Sequence, residues 1–225
     1  MLHTDREKYV TFFKNFGLQL KFGLYDQFGM HKEVLKDLVM FYSSSEKGLV
    51  TLSEYVSRMK AEQKYIYFAS GDSVEKIDKL PQNELLKEKG YEILYLTDDV
   101  DEFALQMLHS YDEKEFKSVA ADDLEIEESQ EEKEAAEKQA EESKELLEFM
   151  KDALDGKVAD VRLSQRLKSH PVCLAAKGGL SIEMEKVLNS MPVDEKVKAE
   201  RVLEINAKHP VLEALNNTYA QDKEA

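Results

Sequence analysis

Leu52, Tyr55, Val56 and Met59 fall on one face of a predicted helix, and Glu54, Ser57, Arg58 and Lys60 take the other. Thr51 and Glu54 have the form of a capping box, in which each side chain satisfies a backbone N–H that the first turn leaves unpaired. Immediately downstream, Tyr65, Ile66, Tyr67 and Phe68 make a continuous apolar run closed by Ser70, Gly71 and Asp72, the pattern of an interior strand buried on both faces. Residues 73–79 and 82–89 then read as helical, interrupted by Pro81 and stopped by Gly90, before a second strand at 91–96. Strand, helical crossover and strand predict a parallel pair with a right-handed connection.

Upstream, Tyr9, Phe12, Phe13, Phe16 and Leu20 recur at helical spacing, an aromatic stripe that reads as packed core. Val34, Leu35, Leu38, Val39 and Tyr42 supply a second amphipathic helix ended by the serine loop to Gly48, so that three helices are expected in a row. Downstream, Asp98 or Asp99 caps a helix through Val100, Phe103, Ala104, Met107 and Leu108, and a short strand is expected at 116–120. The predicted class is α/β and α+β: a helical segment at 1–62, a small layered α/β subdomain at 63–124, and a second domain at 125–225. That second domain opens with a linker becoming a long helix at 131–154, stopped by Gly156. It continues with strands at 158–163 and 172–176, a helix at 181–191, a strand at 201–206 and a helix started by Pro210, and residues after Tyr219 form a polar end.

Charge sharpens this division. Of the formal net charge of −15, −10 lies in residues 122–148, which hold 13 acidic and 3 basic side chains. Such a balance, with no clustered Lys and Arg, argues against a nucleic-acid partner. No apolar run approaches the roughly 20 residues of a membrane helix, so no membrane partner is expected, and the first residues do not resemble a signal peptide. A cytoplasmic location is the expectation. The single Cys173 allows no internal disulfide framework and no multi-cysteine zinc site.

Candidate chemistry is sparse. Neither a dinucleotide fingerprint nor a phosphate-binding glycine loop occurs, and Gly178-Gly179 is too short for either. His170 precedes Cys173 by three residues, but Cys173 sits among Val172, Leu174 and Ala175 and reads as an inert buried thiol. The histidines have no metal-ligand spacing. Leu180, Met184, Val187, Leu188 and Met191 form a helical stripe after the glycine pair; most such stripes are core, yet methionine-rich faces also suit varied apolar partners. Two further classes compete: a doubly wound metal-dependent hydrolase using Asp72, Asp98 and Asp99 at strand ends, and a helical adaptor built on 131–154.

Five segments carry a family resemblance: YVTFFKNFGLQLKFG at 9–23, TLSEYVSRMKAEQKYIYFASGDS at 51–73, KGYEILYLTDDVDEFALQMLHSYDEKEFKSV at 89–119, KVADVRLSQRLKSHPVCLAA at 157–176 and LEINAKHPVL at 203–212. In unbroken order they resemble the middle and C-terminal domains of the heat-shock protein 90 chaperones, bacterial type. The resemblance implies a stress-response folding assistant that is an ATP-driven homodimer, with ATP and magnesium bound by an N-terminal domain. It also implies that this chain is a fragment lacking that domain, the catalytic arginine segment and the last dimerisation helices, so that it holds no cofactor, hydrolyses no ATP and self-associates weakly. The implied partners are partly unfolded client proteins and a heat-shock protein 70 type chaperone. Client-contacting positions of the family fall on Phe103, Gln106, Leu180, Met184, Val187 and Leu188, which turns the reading of the methionine stripe from core to exposed binding surface.

Overall fold

The computed structural model describes residues 1–126, 130–192 and 195–221. The chain divides into two compact units, Met1–Lys79 with Leu86–Val119, and Leu80–Leu85 with Ala120–Ala225.

The first unit opens with α1 (Arg6–Gly29), capped by Asp5, whose carboxylate accepts from the Lys8 N–H at 3.1 Å. Its inward face is Tyr9, Phe13, Gly17, Lys21 and Leu24. The expected aromatic stripe is therefore only half right: Tyr9 and Phe13 are core, while Phe12 is exposed and Phe16 is 54% exposed. The helix is rotated by a charge. Lys21 Nζ lies 2.7 Å from Asp101 Oδ1 and 2.8 Å from Asp98 Oδ2, with the Phe41 ring centroid 4.9 Å away. A cation so placed draws its stretch of helix inward, although no count of apolar residues includes it.

The second expected helix is a correction. Only α2 (Lys32–Leu35) is helical; residues 40–43 form β1 (Met40–Ser43), paired antiparallel with β2 (Leu49–Thr51). Met40 and Phe41 are both buried, and neighbours that point to opposite sides can both be covered in a strand of a layered sheet. The serine run is a hairpin turn rather than a helix end: Ser43 Oγ accepts from the N–H groups of Ser45 and Glu46 and donates to Glu92 Oε1 at 2.6 Å. Residues 1–62 are thus not a purely helical segment.

The predicted capping box is present at α3 (Leu52–Arg58). The Glu54 N–H donates to Thr51 Oγ1 at 3.2 Å and the Thr51 N–H to Glu54 Oε2 at 2.8 Å. The remaining elements are β3 (Ile66–Ser70), α4 (Val74–Asp78), a 3-10 turn at Pro81–Asn83, α5 (Glu84–Glu88), β4 (Leu94–Leu96), α6 (Asp101–Leu108), β5 (Ser110–Tyr111) and β6 (Lys114–Ser118). The sheet order is β2-β1-β4-β3-β6-β5, and β3 runs parallel to both β4 and β6. Tyr55 closes this core: its hydroxyl donates to the Glu92 carbonyl at 2.7 Å and accepts from the Tyr67 N–H at 3.0 Å and Gln63 Nε2 at 2.9 Å. Burial pushes that phenol well above its ordinary range.

In the second unit, α7 (Gln130–Glu142) and α8 (Lys144–Ala153) replace the single helix expected at 131–154. They are separated at the buried Ser143, across which the Ser143 N–H reaches the Gln139 carbonyl and the Leu147 N–H the Ser143 carbonyl. The expectations for 127–129 and for the tail after Gln221 lie outside the described residues. Then come β7 (Asp160–Ser164), β8 (Val172–Lys177), α9 (Ile182–Ser190), β9 (Glu200–Asn206) and α10 (Pro210–Gln221). The sheet is ordered β7-β9-β8, with β9 parallel to β7 and antiparallel to β8. Val161, Leu163, Leu203 and Ile205 pack with Leu146 and Leu147 of α8 and Leu212 of α10. The alternate positions Arg162, Ser164 and Glu204 take the opposite face. The outer edge of β8 is filled by the chain itself: Ala176 donates to the Ala120 carbonyl and accepts from the Asp122 N–H, and Gln82 Nε2 donates to the Leu174 carbonyl at 2.8 Å. The fold is a mixed α+β one.

Replacing Lys21 by Met leaves Asp101 buried without its counter-charge, and the expected cost is about 3–5 kcal/mol in urea unfolding. Adding Asp101→Leu to Lys21→Met is expected to restore most of that loss.

Candidate functional site

The structure places Phe103 and Gln106 on α6 in the first unit. No side chain caps this helix, contrary to the expectation for Asp98 or Asp99: Asp98 instead donates its N–H to Asp101 Oδ2 at 3.1 Å. Burial pushes the Asp101 carboxyl up, opposed by the adjacent Lys21 ammonium. Ala104, Leu105 and Leu108 face the core, so Phe103, Gln106 and Met107, three and four positions apart, share the outer face. Phe103 is half-buried and Gln106 exposed. The Tyr25 ring meets Phe103 edge-on, with centroids 5.9 Å apart at 67°. Tyr25 is a neighbour that spacing alone does not reveal, because it lies off the predicted stripe of α1.

Leu180, Met184, Val187 and Leu188 lie on or beside α9 in the second unit. Gly178, at φ 81° with nothing near its missing Cβ, makes the turn into this helix, and Ser181 Oγ accepts from the Met184 N–H at 3.0 Å. Glu185 ties the helix to the next strand, accepting from the Ala199 N–H at 2.7 Å and Arg201 Nη2 at 3.0 Å. The Arg201 hydrogen bond holds its carboxyl below the usual range. Asn189 repeats the tie by donating to the Val197 carbonyl and accepting from its N–H. The expectation of an exposed stripe is corrected at its centre, where Met184 is only 6% exposed. Leu180, Val187 and Leu188 are half-buried around it and Met191 is exposed. The arrangement is an anchored methionine with an apolar rim.

On the polar face of the same sheet, Glu204 is buried in a cage that the sequence reading missed. Arg162 Nη2 lies 2.7 Å from Glu204 Oε1, Arg166 Nε 2.9 Å from Oε2, and Ser164 Oγ donates to Oε2 at 2.9 Å. The available signal was a lone carboxylate in the apolar run around Leu203 and Ile205, with two arginines four apart upstream. Cys173 Sγ lies 3.7 Å from Glu204 Oε2, and burial together with that charge pushes the thiol up to about 12. His170 instead lies with its Nδ1 2.7 Å from Glu84 Oε1. Glu84 also accepts from the N–H groups of Lys168 and Ser169 and from the Ser169 hydroxyl. Two of the three carboxylates of the hydrolase reading are engaged elsewhere, Asp72 with Lys76 at 2.5 Å and Asp98 with Lys21, while Asp99 is exposed. Among the described residues no group of three His, Cys, Asp or Glu side chains is placed to hold a metal ion, and no helix is long and apolar enough to cross a membrane.

The model of the family described as Hsp90 protein matches residues 1–225. The chain belongs to the Hsp90 protein family. It is 60% identical over 224 residues to "Chaperone protein HtpG" of Clostridium acetobutylicum, covering all of this chain and 35% of that protein. Proteins of the same name from Bacillus subtilis and Bacillus licheniformis are 58% and 59% identical, over 100% and 98% of this chain. The chain spans about a third of the length of these curated relatives.

Cys173 is expected to react with a chromogenic disulfide reagent at pH 8 only as fast as the second unit unfolds, and at once in urea; rapid native labelling would contradict its burial. For Glu84, burial alone would raise the carboxyl, but the four donors outweigh it and hold it at about 2, below its ordinary 4.5. A depressed folded-state value stabilises the protein above about pH 4.5, and this stabilisation fades as pH falls towards 2. The unfolding midpoints of wild type and Glu84→Gln should therefore differ at neutral pH and converge towards pH 2.

Proposed function

We propose that this chain supplies client-binding surface to a molecular chaperone. The observation that carries the reading is the pair of outward apolar faces, Phe103 with Gln106 on α6 and the Leu180, Val187 and Leu188 rim over Met184 on α9, in a chain similar throughout to proteins named as chaperones. Each face offers adaptable apolar contact beside hydrogen-bonding groups, which suits partly unfolded polypeptides whose sequences differ. The acidic start of α6, with Asp98 and Asp99 exposed, favours clients of basic character at that face.

The ATP-driven cycle of the family, its magnesium, its homodimerisation and its exchange with a heat-shock protein 70 type chaperone belong, in this reading, to the longer protein. These residues fit a nucleotide poorly: the left-handed glycines Gly29, Gly90, Gly156 and Gly178 stand singly at turns and do not form a phosphate cradle. The chain's own part is to hold, and no chemical step is assigned to it. Among the described residues a metal-dependent hydrolase finds no assembled group of metal-ligating side chains, and the expected long helix of an adaptor is divided into α7 and α8 at Ser143.

The test is suppression of aggregation of a heat-unfolded protein by this chain without ATP. Met184 is a poor target because a charge there enters a packed position. Val187→Glu with Leu188→Glu is expected to keep the native circular dichroism spectrum and lose more than half of the suppression. Full suppression by that variant and by Phe103→Ala would sink the proposal.

A further inference from the structure

The end of α1 and the turn after it leave a row of apolar side chains exposed that the core does not use. On α1, Phe22 and Tyr25 fall off the buried face marked by Lys21 and Leu24, and both are exposed. The helical conformation then fails at Asp26, Gln27 and Phe28, and Gln27 and Phe28 have φ of 48° and 56°, left-handed values that bulky side chains rarely adopt. The result is a turn that presents Phe28 at 96% exposure and Met30 at 70%. The turn is fixed against α6. Gly29 comes so close that a Cβ there would lie 2.7 Å from Met107 Cγ, and Lys32 Nζ donates to the Met107 carbonyl at 3.3 Å. With the Tyr25–Phe103 ring contact, this joins the turn to the outer face of α6.

We infer that Phe22, Tyr25, Phe28 and Met30 continue the face of Phe103 and Met107 into one surface, whose occupant is an extended aromatic and aliphatic segment of a partly unfolded polypeptide flanked by Lys or Arg. The inference rests on the proposed function and names the chemistry of its client. Rings held out by a fixed turn offer large contact area with little side-chain entropy to lose. Charge decides the occupant. The Asp26 carboxylate is exposed between Tyr25 and Phe28, and Asp98 and Asp99, just ahead of α6, are exposed as well; these local carboxylates attract basic flanks and meet their own like on a second copy.

The experiment titrates the 225-residue chain into a fluorescein-labelled peptide with alternating Phe and Leu between Lys pairs, read by anisotropy, beside a twin with Glu pairs. Phe28→Asn retains a residue that tolerates the left-handed turn, and it is expected to weaken binding by about tenfold with unchanged circular dichroism. Met30→Ser should weaken it in the same direction, Phe16→Asn on the other flank of α1 should leave it unchanged, and the Glu-flanked twin should bind more weakly. Loss of binding in Phe103→Ala but not in Phe28→Asn or Met30→Ser would overturn this extension and leave the proposed function standing. No binding by wild type would overturn both. Equal weakening by Phe16→Asn would show non-local adhesion and overturn the site. A wild-type dimer in sedimentation that Phe28→Asn dissolves would make a second copy the occupant and overturn the assignment to a client.

Discussion

An ammonium group removed from water must meet its counter-charges inside the protein, and in the first unit that requirement orients two helices at once. Lys21 reaches Asp98 and Asp101 across the junction of α1 and α6, so the rotation of α1 is fixed by where those carboxylates sit. Tyr25 is one turn farther along α1 and arrives against Phe103 as a consequence. The outer face of α6 is thus positioned by a polar contact on its inner side. Desolvating such a group costs several kcal/mol, which the pair recovers only in good geometry, so its effect is to select one arrangement rather than to add much stability.

The second unit uses the opposite sign in the same way. Glu204 lies between Arg162 and Arg166 on one face of the sheet, while Leu203 and Ile205 on the other face pack against α8 and α10. A slip of one residue in β9 would turn the carboxylate into the apolar layer, so the cage protects the register. Register in turn places Arg201, the partner of Glu185, and hence α9. In both units the exposed apolar faces are held by buried or half-buried charge some distance away.

What was legible in the sequence was what local chemistry decides. The Thr51–Glu54 box, the left-handed Gly90, the parallel β3–β4 pair and the strands and last two helices of the second unit follow from short patterns that the rest of the fold does not override, whereas the helix expected at 131–154 is two. Residues 34–42 misled because their apolar spacing fits a helix, whereas the burial of both Met40 and Phe41 between layers requires a strand. Lys21 and Glu204 were invisible to any count of hydrophobic positions, since their partners are distant in sequence. The family resemblance named Phe103 and the α9 stripe, but Met184 turns inward, and which part of a stripe is covered is a property of packing. Tyr25 and Phe28 carry no periodic signal because the helix fails between them.

The covered stretch of the β8 edge bears on what can pair with this sheet. A strand with open N–H and C=O groups is a template, and an unfolded chain is the molecule most ready to pair with it. Here Ala120 and Asp122 occupy the hydrogen-bonding groups of Ala176, and the Gln82 amide covers the Leu174 carbonyl. At this stretch of β8, backbone pairing with another chain is thereby blocked and only side chains remain for contact. If the chain binds clients as proposed, the covered stretch of β8 is one place where an unfolded chain cannot add a strand.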